Sequence, residues 1–127
     1  MDVKKKICLE YAFNTSVKLL YDRISTSSGL SNWFSDDVNI EGDVYIFYWK
    51  KNEQRAKLLF AKKEKLVKFK WIDDEDEESY FEFKIINQEL TSEVALFITD
   101  FVYEDDENDA IDLWNKQMDK LKRALGA

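Results

Sequence analysis

The chain has no histidine and no proline, a single cysteine and three glycines among 127 residues. Without histidine there is no imidazole to act as a general base or to activate a thiol, and zinc sites built from Cys and His are excluded. Cys8 has no partner for an internal disulfide, so the framework of a small secreted domain is absent. Glycines at positions 29, 42 and 126 stand too far apart for a phosphate-cradling loop. The lack of proline and of internal repeats gives no sign of a linker, and a single domain over 1–127 is expected.

Long apolar runs are missing as well. In "MDVKKKICLEYAF" Glu10 interrupts the apolar stretch too early for a signal-peptide core or a membrane span, and a cytoplasmic location is expected. Acidic residues outnumber basic ones, 26 against 19, and the formal net charge of -7 opposes binding to nucleic acid or anionic membranes, whose affinity comes largely from Lys and Arg on phosphates. Lys62, Lys63, Lys65, Lys68 and Lys70 run against this trend, and their alternation reads as solvent-facing strand and hairpin positions.

Aromatic residues are plentiful: 9 Phe, 6 Tyr and 4 Trp make up 15% of the chain, enough to require a substantial interior. Alternation of Ile7, Leu9, Tyr11 and Phe13 predicts a strand over Lys4–Phe13, with Cys8 as a small apolar filler. Asn14, Thr15 and Ser16 then cap a helix carrying Val17, Leu20, Tyr21 and Ile24, ended by Ser25 to Gly29. A second short helix is expected around Leu30 to Phe34, followed by strands at 38–40, 44–49, 55–62, 66–72, 80–86 and 93–103. Their short connections predict an antiparallel meander. Parity alone does not orient Val44–Trp49 or Val94–Phe101, where both faces are apolar. A final helix, capped by Asp105 or Asp106 and closed by Gly126, carries the stripe Ala110, Trp114, Met118, Leu121 and Leu125.

Chemistry-bearing clusters are few. The acidic segment 104–109 lacks the glycine and terminal glutamate of a calcium loop and reads as helix capping; Asp73 to Glu78 reads as a solvated hairpin tip. Of the carboxylates Glu10, Glu82, Glu93 and Asp100, only Asp100 shares a strand face with Val94, Leu96 and Ile98. Tyr11, Tyr48 and Tyr103 offer hydroxyls at the edges of the core. No catalytic residue, metal site or cofactor is assigned.

The order of elements, with "FNTSVKLLYDRISTSSGLSNWF", "GDVYIFYW", "LVKFKW", "TSEVALFITDF" and "LWNKQMDKLKRALGA", resembles the START-like superfamily, also called SRPBCC or helix-grip proteins. Within it, the Trp114, Leu121 and Leu125 spacing is similar to the subgroup related to the C-terminal domain of the activator of the heat-shock protein 90 ATPase. The resemblance implies an α+β helix-grip fold, a curved sheet around the long C-terminal helix. It also implies a cavity between them for a hydrophobic small molecule such as a lipid, sterol or polyketide. Some members are cyclases and others bind protein partners; a chain without histidine departs from the enzyme-like members.

The expectation is a non-enzymatic module whose ligand would meet Trp33, Phe34, Tyr48, Phe69, Trp71, Phe81, Phe83, Leu96, Ile98, Asp100, Trp114 and Met118. The alternative is a protein-interaction module, homodimeric or chaperone-associated, with a packed interior. "GLSNWFSDD" places Trp33 and Phe34 at one end of that interior, as a plug or as a gate for a ligand.

Overall fold

The computed structural model describes residues 3–88, 90, 91 and 93–126. Strand β1 (Lys4–Phe13) is followed by α1 (Val17–Ser25) and α2 (Ser27–Leu30). Then come β2 (Asp37–Glu41), β3 (Val44–Trp49), β4 (Asn52–Lys62), β5 (Leu66–Trp71), β6 (Phe81–Asn87), β7 (Val94–Tyr103) and α3 (Glu107–Leu125). Among the described residues the strands form one antiparallel sheet in the order β1-β7-β6-β5-β4-β3-β2, the expected meander with β1 returning beside β7. Glu89, Ser92 and Ala127, which the expected connections and final helix include, lie outside the described residues, as do Met1 and Asp2 of the N-terminal segment.

The inner face of the sheet carries the alternating apolar positions of each strand, and α3 lies against it with Trp114, Met118 and Leu121 buried. Phe47, Phe69, Phe81, Phe83, Leu96 and Ile98 fill the middle, each at most 1% exposed. Three contacts fasten α3 to β1: Lys5 pairs with Glu107 at 2.8 Å, the Tyr11 hydroxyl donates to Asn115 at 2.6 Å, and the Lys122 ammonium lies 5.6 Å from the Phe13 ring centre. Gly126 ends the helix in the left-handed conformation at φ 69°. Asp106 occupies the N-cap position, but its side chain makes no capping bond, because residues 104–106 form a 3-10 turn ahead of the helix.

The helical connection differs from the expected one: the second helix, expected around Leu30 to Phe34, lies at Ser27–Leu30 and shares only Leu30 with that span. Thr26 closes α1, its N–H and hydroxyl both donating to the Asp22 carbonyl, and opens α2, its Oγ1 accepting from the Gly29 N–H at 2.9 Å. The second helix therefore starts at Ser27 and stops at Leu30, and Ser31 to Phe34 wind back as a turn. The Leu30 carbonyl accepts from the Trp33, Phe34 and Ser35 N–H groups. Glycine is required at 29: a Cβ there would lie 2.1 Å from the Asp22 carbonyl oxygen and 2.7 Å from the Arg23 Cα, both backbone atoms that α1 holds in place.

One strand breaks its own alternation. Between Leu58 and Phe60 the β4–β5 register shifts by a bulge, so Leu58 opposes Phe69 while Phe60 opposes Lys68 on the outer face. Leu59 and Phe60 are consequently exposed. The outer faces of β3 and β7 are better covered, with Ile46, Ala95 and Thr99 buried, whereas Cys8, expected as a filler, is exposed beside Thr99. Lys68 and Lys70 are also not free strand lysines. Lys68 sits 4.0 Å from the Tyr80 ring centre, and Lys70 donates to the Asp76 and Ser79 carbonyls, which organises the acidic loop that leads into β6.

Because the Gly29 contact is backbone on backbone, Gly29→Ala should destabilise the fold by about 3 kcal/mol. Ser28→Ala, on the exposed side of the same helix, should stay within about 0.5 kcal/mol. Urea unfolding of the two variants beside the parent chain measures this.

Candidate functional site

Antiparallel pairing brings the ends of β3, β5 and β7 and the starts of β4 and β6 to the same edge of the sheet, where the first half of α3 crosses them. There a cavity of about 200 Å³ opens between sheet and helix. Phe34, Trp49, Trp71, Phe81 and Trp114 supply its aromatic wall, Ala110 and Leu113 its aliphatic one, and Gln54, Gln117 and Asp100 its polar groups.

The rings stand in two orientations. Trp71 and Trp114 lie within 14° and 21° of parallel to Phe34, with centroids 6.5 Å and 6.0 Å away, whereas Trp49 is inclined to Phe34 by 65° at 5.8 Å. Phe34 is fixed through its backbone as well, since its carbonyl accepts from the Trp49 indole N–H and from the Gln117 amide, each at 3.2 Å. Trp33 lies behind it, 2% exposed, its indole N–H bonded to the Arg23 carbonyl at 2.7 Å. Its burial and this bond to α1 are what a plug at that end of the interior requires.

Asp100 is the charged group of this cavity. Its Oδ1 accepts from the Phe101 N–H at 2.8 Å and its Oδ2 from the Trp114 indole N–H at 3.1 Å. Burial pushes the carboxyl above its ordinary value, outweighing these two hydrogen bonds and the more distant Lys4 charge, which lower it. Lys4 is engaged elsewhere, 3.0 Å from Asp74. Burial also raises Asp74, but the Asp76 N–H and the Lys4 ammonium outweigh it, and Asp74 titrates below its ordinary value. The acidic loop folds on its own donors, with Asp74 and Asp76 side chains accepting from the Asp76 and Glu78 N–H groups, while Asp73, Glu75, Glu77 and Glu78 are exposed as a solvated tip requires.

Five of the expected contact residues, Phe34, Trp71, Phe81, Asp100 and Trp114, line the cavity together. Phe69, Phe83, Leu96, Ile98 and Met118 are closed into the packed middle beneath it, at most 1% exposed. Tyr48 is on the opposite face of β3, its hydroxyl accepting from Asn39, because Tyr45, Phe47 and Trp49 take the inward positions. Trp49, Gln54, Ala110, Leu113 and Gln117 were not among the expected residues. Ala110 was legible as part of the apolar stripe of α3, and Leu113 and Gln117 follow from it at helical spacing; Trp49 and Gln54 required the parity of β3. Among the described residues no group of three or more Cys, Asp or Glu side chains is placed to hold a metal ion, and no helix is long and apolar enough to cross a membrane.

A raised carboxyl binds its proton more tightly in the folded than in the unfolded chain, so ionised Asp100 costs stability at neutral pH. That cost disappears as the pH falls through the raised value towards the ordinary 3.8. The stability of Asp100→Asn relative to the parent should therefore rise between about pH 4 and pH 7. Denaturant titrations at both values test it, and a difference that ignores pH would show that the carboxyl is not desolvated.

Comparison with known proteins places this geometry. The model of the START-like superfamily domain matches residues 1–127. A Bacteroides fragilis protein solved by solution NMR is 39% identical, the match covering 98% of this chain and 92% of that one with a TM-score of 0.69. The Aha1 dimer of Colwellia psychrerythraea has the same fold at 17% identity, with a TM-score of 0.81 and coverage of 95% and 96%. A Mesorhizobium loti protein does so at 12% identity, with a TM-score of 0.79 and coverage of 96% and 97%. No curated protein matches the chain. The α+β fold, with its curved antiparallel sheet on a long C-terminal helix, and the match along the whole sequence agree: the chain belongs to the START-like superfamily.

Proposed function

We propose that the protein is a non-enzymatic binding module that holds a hydrophobic small molecule in the cavity between the sheet end and α3. The observation that carries this reading is the cavity itself, where five aromatic side chains and two aliphatic ones surround only three polar groups. Packing supports it in a second way. The interior below is filled by fully buried Phe, Leu, Ile and Met side chains, so the open end does not arise from a poorly filled core. Catalysis has less to stand on: Asp100 spends a lone pair of each oxygen on Trp114 and Phe101, and no histidine exists to work with it.

A protein-interaction role, as a homodimer or beside a chaperone, is the second reading, and the β4 bulge favours it. Leu59 and Phe60 are turned outward and exposed, whereas outer positions elsewhere on the sheet, Ile46 on β3 and Ala95 and Thr99 on β7, are covered. The fold is shared with a protein solved as the Aha1 dimer. Composition favours neither nucleic acid nor anionic membrane as partner, given the net charge of -7. A cytoplasmic location suits a chain whose lone cysteine stands exposed and unpaired.

For the first reading, native mass spectrometry of the protein purified from its source should find a bound apolar compound. Such a ligand at 100-fold above its Kd should add roughly 2.7 kcal/mol of stability. Ala110→Trp, which fills the cavity from the helix side, should abolish the gain; a gain that survives the substitution would put the ligand elsewhere. For the second reading, sedimentation should show a dimer that Phe60→Glu converts to monomer. A parent chain monomeric at high concentration would remove the homodimer form of the proposal.

A further inference from the structure

The cavity contains a combination that a purely apolar pocket would not: several indole rings in two orientations with a carboxylate at their base. Indole faces attract cations through the ring quadrupole, more strongly when water is excluded. Trp49, Trp71 and Trp114 all line the cavity, and their planes differ enough to enclose a compact group from more than one side, Trp49 being tilted by 53° to Trp71. Asp100 faces the same space, and among the described residues no lysine or arginine lies within ion-pair distance of it.

On the side of the acidic loop the approach to the cavity has the same sign, whereas the depression on the other side, which shares Phe34, Trp49, Leu113 and Gln117 with the cavity, carries Lys116 and Lys120 against Asp36. The acidic depression shares Gln54 and Trp71 with the cavity and is lined by Asp73, Asp74, Glu75 and Asp76, with Lys4 and Arg55 as the only cations among its lining residues. Lys4 is paired with Asp74, and Arg55 with Glu53 at 3.2 Å. Excess negative charge beside a low-dielectric mouth raises the local concentration of cations and repels phosphate.

Resting on the small-molecule reading above, we infer that the ligand is a free alkylated or quaternary ammonium compound, its cationic head among Trp49, Trp71 and Trp114 and opposite Asp100. Size limits the rest of it: about 200 Å³ is below the roughly 300–1,000 Å³ of pockets for drug-sized molecules. A phospholipid headgroup carries the same ammonium, but a volume of about 200 Å³ holds little beyond that group and the acidic loop repels a phosphate on one side, so the free compound is favoured.

Tryptophan fluorescence titrations with three probes test this: choline, 3,3-dimethyl-1-butanol as its uncharged isostere, and phosphocholine. Choline should bind roughly tenfold tighter than the isostere. Asp100→Asn should cut that advantage to roughly threefold, the share that the rings supply. Phosphocholine should bind more weakly than choline, and binding as tight or tighter would overturn the free-ammonium assignment. An isostere equal to choline would overturn the inference while leaving the apolar-ligand reading in place. If neither choline nor the isostere perturbs the tryptophans, both fall. Circular dichroism of Asp100→Asn separates lost binding from lost fold, and the comparison of probes on the parent chain does not depend on that variant.

Discussion

Phe34 is the side chain on which the sheet end, the short helices and the long helix all converge. Its ring lies within 6.5 Å, centre to centre, of Trp33, Phe47, Trp49, Trp71, Phe81, Phe83 and Trp114. Its N–H is held by Leu30, and its carbonyl holds β3 through Trp49 and α3 through Gln117. Aromatic pairs contribute about 0.5–1.5 kcal/mol each beyond the area they bury, and this ring makes several at once. The constraint reaches back to the sequence through Gly29. Only a residue without Cβ lets α2 approach α1 closely enough for the following turn to turn Trp33 and Phe34 into the core.

From that anchor the division of the interior follows. Below Phe34 the strands' inward residues meet Met118 and Leu121 and leave no exposed surface among them. At the other side of the ring, α3 presents Ala110 rather than a large residue, and the sheet is ending in hairpins. Space is left at that end because a small helix residue faces aromatic rings that are already fixed by backbone hydrogen bonds. Truncating a ring would widen this space at the expense of the core, while Ala110 can change without disturbing either.

Much of this was legible in the sequence because period-two alternation is strong in β1, β5 and β6 and because the apolar stripe of α3 is continuous. The meander, the capping Gly126 and the placement of Trp71, Phe81 and Trp114 all follow from those signals. Four features were not legible, each for a physical reason. The faces of β3 are both apolar, and only the packing of Tyr45 and Phe47 against Phe69 decides that Trp49, not Tyr48, faces inward. The bulge at Leu59 reverses parity within a strand of otherwise unremarkable composition. Thr26 serves two helices at once, which a reading of caps one helix at a time does not anticipate. Lys70 belongs with these, since nothing local distinguishes a solvent lysine from one that donates to carbonyls of a loop folding back over it.

Asp74 and Asp100 face opposite electrostatic circumstances although both feel Lys4. The ammonium stands beside Asp74, in a wet loop already rich in donors, and the carboxyl that has lost most of its water keeps only an indole and a backbone N–H. An arrangement that minimised electrostatic cost alone would place the cation the other way round, because a charge is worth more where water is excluded. The cost at Asp100 would therefore bear differently on different occupants of the cavity. A wholly apolar molecule would desolvate the carboxylate further, which would subtract from its hydrophobic gain without removing it. A molecule that brought a donor or a positive charge would relieve the same cost as it bound, which is the preference the proposed ammonium ligand would exploit.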